Sequence, residues 1–251
     1  MVVSLGFTIQ SHSYHQSIFF NSSNWVTGNV YDIAYGITSY FDLDEENERL
    51  LKENRMLRDL WLNQPLLDSI QRDTSALNYT IISGQVIKNS YADQRNYITL
   101  NKGRKDGVDQ DMGVITDLGI LGIVENTSNS FATVQSILNE NSNINAKIKN
   151  TDHFGSLIWD TRTYSEVQLI DIPRLVPLTI GDTIVTGAMS SIFPENIPIG
   201  IIKQFDLDSS KSFYRINIDL FNDMTNIKNV YIINNLNKKE QLELQEATTN
   251  E

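Results

Sequence analysis

Only three side chains in this sequence have the type of a neutral-pH general base: His12, His15 and His153. His12 and His15 stand three residues apart, which suits two metal-ligating imidazoles on a helix. No carboxylate cluster adjoins them, however, and the bland alternative is a polar stretch beside the chain start. His153 lies in a β-rich region between Asp152 and Ser156. A Ser-His-Asp triad takes its members from separated segments, and these three are too close along the chain to be one another's partners. A Gly-x-Ser-x-Gly elbow is absent, as are a phosphate-binding loop and a dinucleotide fingerprint. The chain has no cysteine, which removes thiolate catalysis, cysteine-bound zinc and disulfides. The expectation is a protein without catalytic residues, metal or cofactor.

Charge narrows the classes further. The net charge is -11 over 251 residues, without a lysine-arginine cluster, so nucleic acid is not an expected partner. Hydrophobic residues make up 40% of the chain, enough for a substantial core.

The strongest pattern is an assembly signal. Leu43, Asn47, Leu50, Asn54, Leu57 and Trp61 recur at spacings of four and three, the heptad period of a left-handed coiled coil. Charged residues fill the positions between them. Asn47 and Asn54 sit where apolar residues would pack better, and Asn in a seam fixes register at a cost in stability. The seam predicts a dimerisation helix over residues 21–64, ended by Pro65. The alternative is one amphipathic helix lying on its own domain. Residues 1–20 read as the remnant or end of an N-terminal membrane anchor: Met1–Ile9 is apolar but shorter than the ~20 residues of a span. A mildly apolar, frayed terminus is the competing account.

After a transition over residues 65–78 the texture becomes β. Runs rich in β-formers are broken by Gly, Asn, Asp and Pro every 8–12 residues or so. Twelve strands are predicted, near 79–88, 95–101, 112–117, 119–125, 131–138, 144–149, 155–160, 166–171, 182–187, 199–207, 212–220 and 228–234. They divide into a first β-domain (79–160) and a second (161–236). A faint repeat relates Met112–Thr116, Ile120–Asn126 and Ala132–Leu138 to Asp182–Thr186, Pro198–Gln204 and Tyr214–Leu220. Two related small β-barrels or sandwiches would explain it, and chance likeness between β-domains is the rival. Gly122 and Gly200 fall mid-strand in the two copies, as at a bulge or barrel corner. The acidic tail 237–251 reads as disordered or loosely helical.

One loop stands out. Ile192, Phe193, Pro194, Ile197 and Pro198 combine apolar side chains with two of the five prolines. Such a stiff apolar loop is either a plug under a barrel or a docking surface for a partner.

The order of features resembles the MreC family of rod shape-determining proteins, in its Bacteroidetes-type members. The residues carrying the likeness are Glu45-Glu-Asn-Glu-Arg-Leu-Leu51, Asn96-Tyr-Ile-Thr-Leu-Asn-Lys-Gly103 with Asp106-Gly107, Met112-Gly-Val-Ile115 and Gly119-Ile-Leu-Gly-Ile-Val124. They continue through Phe154-Gly-Ser-Leu-Ile-Trp-Asp160, Asp171-Ile-Pro173, Gly181-Asp-Thr-Ile-Val-Thr-Gly187 and Phe193-Pro-Glu-Asn-Ile-Pro-Ile-Gly200. The array from Gly181 to Gly200 is the specific part; the coiled coil is not. The resemblance implies a mainly β protein with an N-terminal coiled coil, anchored by a single pass in the inner membrane with its bulk in the periplasm. It implies a non-enzymatic scaffold of cell-wall elongation: a homodimer, able to form filaments, that works with MreB, MreD, RodA and the elongation-specific penicillin-binding protein. The N-terminus departs from the family, which carries a full membrane helix there. The alternatives are a trypsin-like hydrolase on a double barrel and an efflux-type periplasmic adaptor; the latter needs two helical arms, where one is visible.

Overall fold

The computed structural model describes residues 47–60, 62 and 78–249. Residues 47–60 are helical (α1). Ion pairs Arg49–Glu53 and Arg55–Asp59, each four residues apart, support its exposed faces. Among the described residues no helix is long and apolar enough to cross a membrane. The candidate anchor 1–20, Leu43, Trp61 and the transition 65–77 lie outside the described residues.

Twelve strands follow, each within two residues of a predicted one. They are β1 (Tyr79–Asn89), β2 (Arg95–Leu100), β3 (Gly113–Ile115), β4 (Ile120–Thr127), β5 (Ala132–Asn139) and β6 (Ile144–Ile148), then β7 (Phe154–Ile158), β8 (Glu166–Pro173), β9 (Thr183–Thr186), β10 (Pro198–Leu207), β11 (Phe213–Leu220) and β12 (Asn229–Asn235). Period-2 alternation explains them: in β11 Ile216 and Ile218 are buried while Arg215 between them and Tyr214 is exposed. Burying one face while satisfying every backbone donor drives closure, and the strands close into two six-stranded barrels.

The division between the barrels corrects the expected one. Barrel one is β1-β12-β3-β4-β5-β2, and barrel two is β10-β11-β8-β7-β6-β9. Thus β6 and β7, expected in the first domain, lie in the second, and β12, expected in the second, closes the first. The pairings explain the pattern. Barrel one runs β1–β2–β5–β4–β3–β12 and back to β1. Barrel two runs β7–β8–β11–β10–β9–β6 and back to β7. The circuits are identical, so the chain is two six-strand units, β1–β6 and β7–β12, whose sixth strands have changed places.

The faint repeat is therefore structural. Val114 pairs with Gly122 in barrel one, as Ile184 pairs with Gly200 in barrel two. A Cβ on Gly122 would fall onto the carbonyl oxygen of Gln135, and one on Gly200 onto that of Asp219. Both positions need glycine because the neighbouring strand's backbone comes so close.

Of the two expectations for the tail, the helical one applies to Lys238–Thr249, which forms a helix (α2). Gln, Glu, Leu and Ala through this stretch are good helix formers. Its start is tied to barrel one by Lys238, whose Nζ lies 3.3 Å from Asp111 Oδ2.

Candidate functional site

Sequence pointed to three places for function: the helical seam, the apolar loop and the surroundings of His153. The seam residues that are described, Asn47, Leu50, Asn54 and Leu57, all lie on α1 and are exposed, Leu50 at 43% and Leu57 at 58%. Met56 and Leu60 are exposed as well. Beyond Leu57 the character changes. The Arg58 guanidinium stands 4.6 Å from the centre of the Tyr231 ring in β12, a cation–π distance. Burial pushes the Asp59 carboxyl above its ordinary value, against the opposing effects of Arg55 and the Ile81 backbone donor. Leu62 packs on the core. The foot of the helix is thus fixed to β1 and β12.

The apolar loop is a wedge. Phe193 is 1% exposed, Pro194 and Ile197 are buried, Ile192 is half-buried, and only Pro198 among the five is exposed. The Thr186 hydroxyl donates to Pro194 O at 2.6 Å and accepts from Ile197 N at 2.9 Å. The Ser190 hydroxyl accepts from the backbone donors of Ile192 and Phe193. Asn235 at the end of β12 donates to Ser191 O at 2.8 Å. The loop leaves barrel two and lays Phe193 against Gly113 of barrel one. Of the two readings of the loop, Phe193, Pro194 and Ile197 follow the plug, their side chains filling space at the junction between barrels, while Pro198 stays exposed.

His153 is exposed in the turn between β6 and β7. Asp152 is not its orienting acid: its carboxylate is 2.6 Å from Lys147 Nζ. Ser156 lies across from Asn145 in the sheet. Among the described residues no three His, Asp or Glu side chains gather as a metal site, and His12 and His15 lie outside those residues.

Sequence reasoning missed two buried polar clusters, one inside barrel two and one between barrel one and the connection from β11 to β12. The Lys147 side chain on β6 is only 6% exposed and is ion-paired to both Asp152 and Glu195. Hydrogen bonds from its ammonium to Asp152 and then to Glu195 hold its pKa above the ordinary lysine value. In the second cluster, Thr116 Oγ1 and Asn222 Oδ1 are 2.5 Å apart, and Asn222 Nδ2 donates to Ile120 O at 2.9 Å. The sequence carries no signal for the first: in the alternation Ile144-Asn-Ala-Lys-Ile148, Lys147 falls on the polar face with Asn145.

Three comparisons with known proteins bear on this architecture. A family model described as rod shape-determining protein MreC, barrel core, matches residues 86–234. The cell shape-determining protein MreC of Listeria monocytogenes is 26% identical over 201 residues, covering 76% of this chain and 68% of that protein. Its Haemophilus influenzae counterpart is 24% identical over 204 residues, covering 74% and 58%, and the Escherichia coli one 25% over 162, covering 64% and 41%. A solved structure of the Listeria protein superposes with a TM-score of 0.61 at 26% identity, covering 77% of this chain and 94% of that one. A structure described as a complex between penicillin-binding protein PBP2 and MreC from Helicobacter pylori is similar at a TM-score of 0.51 and 13% identity, covering 63% of this chain and 99% of that one. That likeness concerns the fold.

Proposed function

The chain belongs to the MreC family, and on that premise we propose that it is a non-enzymatic scaffold of the bacterial cell-wall elongation machinery. In this reading α1 pairs with a second copy through Leu43, Asn47, Leu50, Asn54, Leu57 and Trp61, and the dimer holds two double-barrel bodies at its end. The N-terminal segment anchors the chain in the inner membrane, and the barrels work in the periplasm. There they engage the elongation-specific penicillin-binding protein, in company with MreD, RodA and, through the membrane, MreB. Filaments are a further assembly state open to the dimer.

The observation that carries the reading is the family match across both barrels, residues 86–234. Three others agree with it. The relative from Helicobacter pylori is described in complex with PBP2. Leu50 and Leu57 leave an apolar stripe exposed on α1, and such a stripe is buried by a partner helix at little cost. The carboxylate beside His153 is committed to Lys147, so the local geometry favours a structural role over a hydrolytic one.

Depleting the chain from its own bacterium tests the proposal. Rod-shaped cells should widen and round as lateral wall synthesis loses its organisation. Unchanged cell shape after complete depletion would contradict it.

A further inference from the structure

The two exchanged strands can be aligned residue by residue through their partners. In barrel one Tyr231 pairs with Ile115, Ile232 with Val114 and Ile233 with Gly113. In barrel two Ala146 pairs with Thr186, Lys147 with Val185 and Ile148 with Ile184. Val114 and Ile184 are equivalent, since each faces the close-approach glycine of the next strand, Gly122 or Gly200. It follows that Ile148 matches Ile232, and Lys147 matches Tyr231.

These two matched positions differ in chemistry, and each fits only the barrel it occupies. Lys147 comes from the first six-strand unit; of its carboxylate partners, Asp152 lies in the turn that joins the units, and Glu195, between β9 and β10, belongs to the second. Tyr231 comes from the second unit and lies beneath the Arg58 guanidinium, which belongs to the segment preceding the first. If β6 stayed in its own barrel, the Lys147 ammonium would take the place of the Tyr231 ring against Arg58, setting cation against cation. Tyr231 in barrel two would leave Glu195 without its cation. Both errors are penalised, which is how a sequence selects one of two near-equivalent pairings.

We propose that Lys147 and Tyr231 specify the strand exchange, and that the exchange is what makes the two barrels one body. The rival is geometric: four residues join β5 to β6 and eight join β11 to β12, and connection length alone could dictate where each sixth strand lands. The rival makes no use of charge, so charge separates the two.

The test uses the full chain with a protease recognition sequence inserted after Asn150 in the turn between β6 and β7, cut after folding. Because the sixth strands are exchanged, the nicked wild-type halves should stay together on dilution and co-elute by size exclusion. The paired substitution Lys147→Tyr with Tyr231→Lys restores every contact only in the unexchanged pairing. Its nicked halves should separate at a concentration where wild-type halves do not. Association as tight as wild type would overturn the proposal. Should that variant fail to fold, Asp152→Asn with Glu195→Gln decides the matter by stranding, inside barrel two, a buried cation that the first half contributes. The dissociation constant between halves should then rise roughly tenfold or more. Lys203→Gln is the control: it breaks another lysine held by two carboxylates, Glu166 and Asp219, all within the second unit. Equal effects of the two would assign Lys147 a merely local role and overturn the proposal.

Discussion

The Phe193 ring lies so close to Gly113 that a Cβ on the glycine would stand 2.7 Å from Cε1 and 2.8 Å from Cδ1 of the ring. Residues eighty positions apart thus share one packing site at the junction of the barrels. Phe193→Ala removes a fully buried aromatic and should cost about 3–5 kcal/mol. Gly113→Ala forces a methyl group against the ring and should cost about 1–3 kcal/mol. In the Phe193→Ala background the same methyl enters vacated space, so the double variant should be more stable than the sum of the two losses. Chemical denaturation of all four proteins gives the coupling directly; strict additivity would mean that the two residues do not share the site.

The helical seam makes a separate claim. Leu50→Asp together with Leu57→Asp would place carboxylates in the apolar stripe of a paired helix, where an unpartnered charge is strongly disfavoured. Light scattering of the full chain should then report monomer where wild type reports dimer. The melting of the barrels should hold, because both leucines are exposed in the single chain. A double variant that stays dimeric with an unchanged dissociation constant would place the interface elsewhere.

Substituting the one histidine of the β-region tests the absence of chemistry. His153→Ala should support normal cell shape when expressed in place of wild type, since His153 is exposed and Asp152 is held by Lys147. Rounded cells at normal protein abundance would assign His153 a task that the scaffold reading lacks.

Acid and alkali should act through different groups. Asp208 accepts hydrogen bonds from Ser210 Oγ and from the backbone donors of Ser212 and Phe213, and Asp223 from Thr225. Asp106 accepts from the Gly103 backbone donor. These bonds hold all three carboxyls below the ordinary aspartate value of 3.8. Each is easier to ionise in the folded chain, so its contribution is complete above that value and is lost as pH falls through the lowered one. Lys147 has the opposite sense: held above the ordinary 10.5 by Asp152 and Glu195, it stabilises fully below that pH and ceases to as pH rises past it. The melting temperature should therefore fall at both extremes. Asp208→Asn should soften the acid limb, and Lys147→Met the alkaline one.

How much of this was legible in the sequence follows from what a local pattern can record. Alternation of apolar and polar residues located all twelve strands, because one buried face is a property of each strand alone. The same pattern cannot say which barrel a strand joins: Ile144, Ala146 and Ile148 of β6 present an inward face that suits either slot, as do Val230 and Ile232 of β12. The exchange is carried instead by Lys147 and Tyr231, whose partners lie outside their own repeat unit. Phe193 was readable as apolar and stiffly held, but its burial depends on Gly113, which lacks a side chain to advertise the contact. In Lys238–Thr249 the sequence leaves helix and disorder open, because a polar segment with so few apolar residues shows no buried face.

The most direct measurement is a calorimetric titration of the full chain with the periplasmic part of the elongation-specific penicillin-binding protein from the same bacterium. The account predicts saturable, stoichiometric binding that survives His153→Ala and leaves both proteins chemically unchanged. Absence of binding between two demonstrably folded proteins, or cleavage of either one, would contradict it.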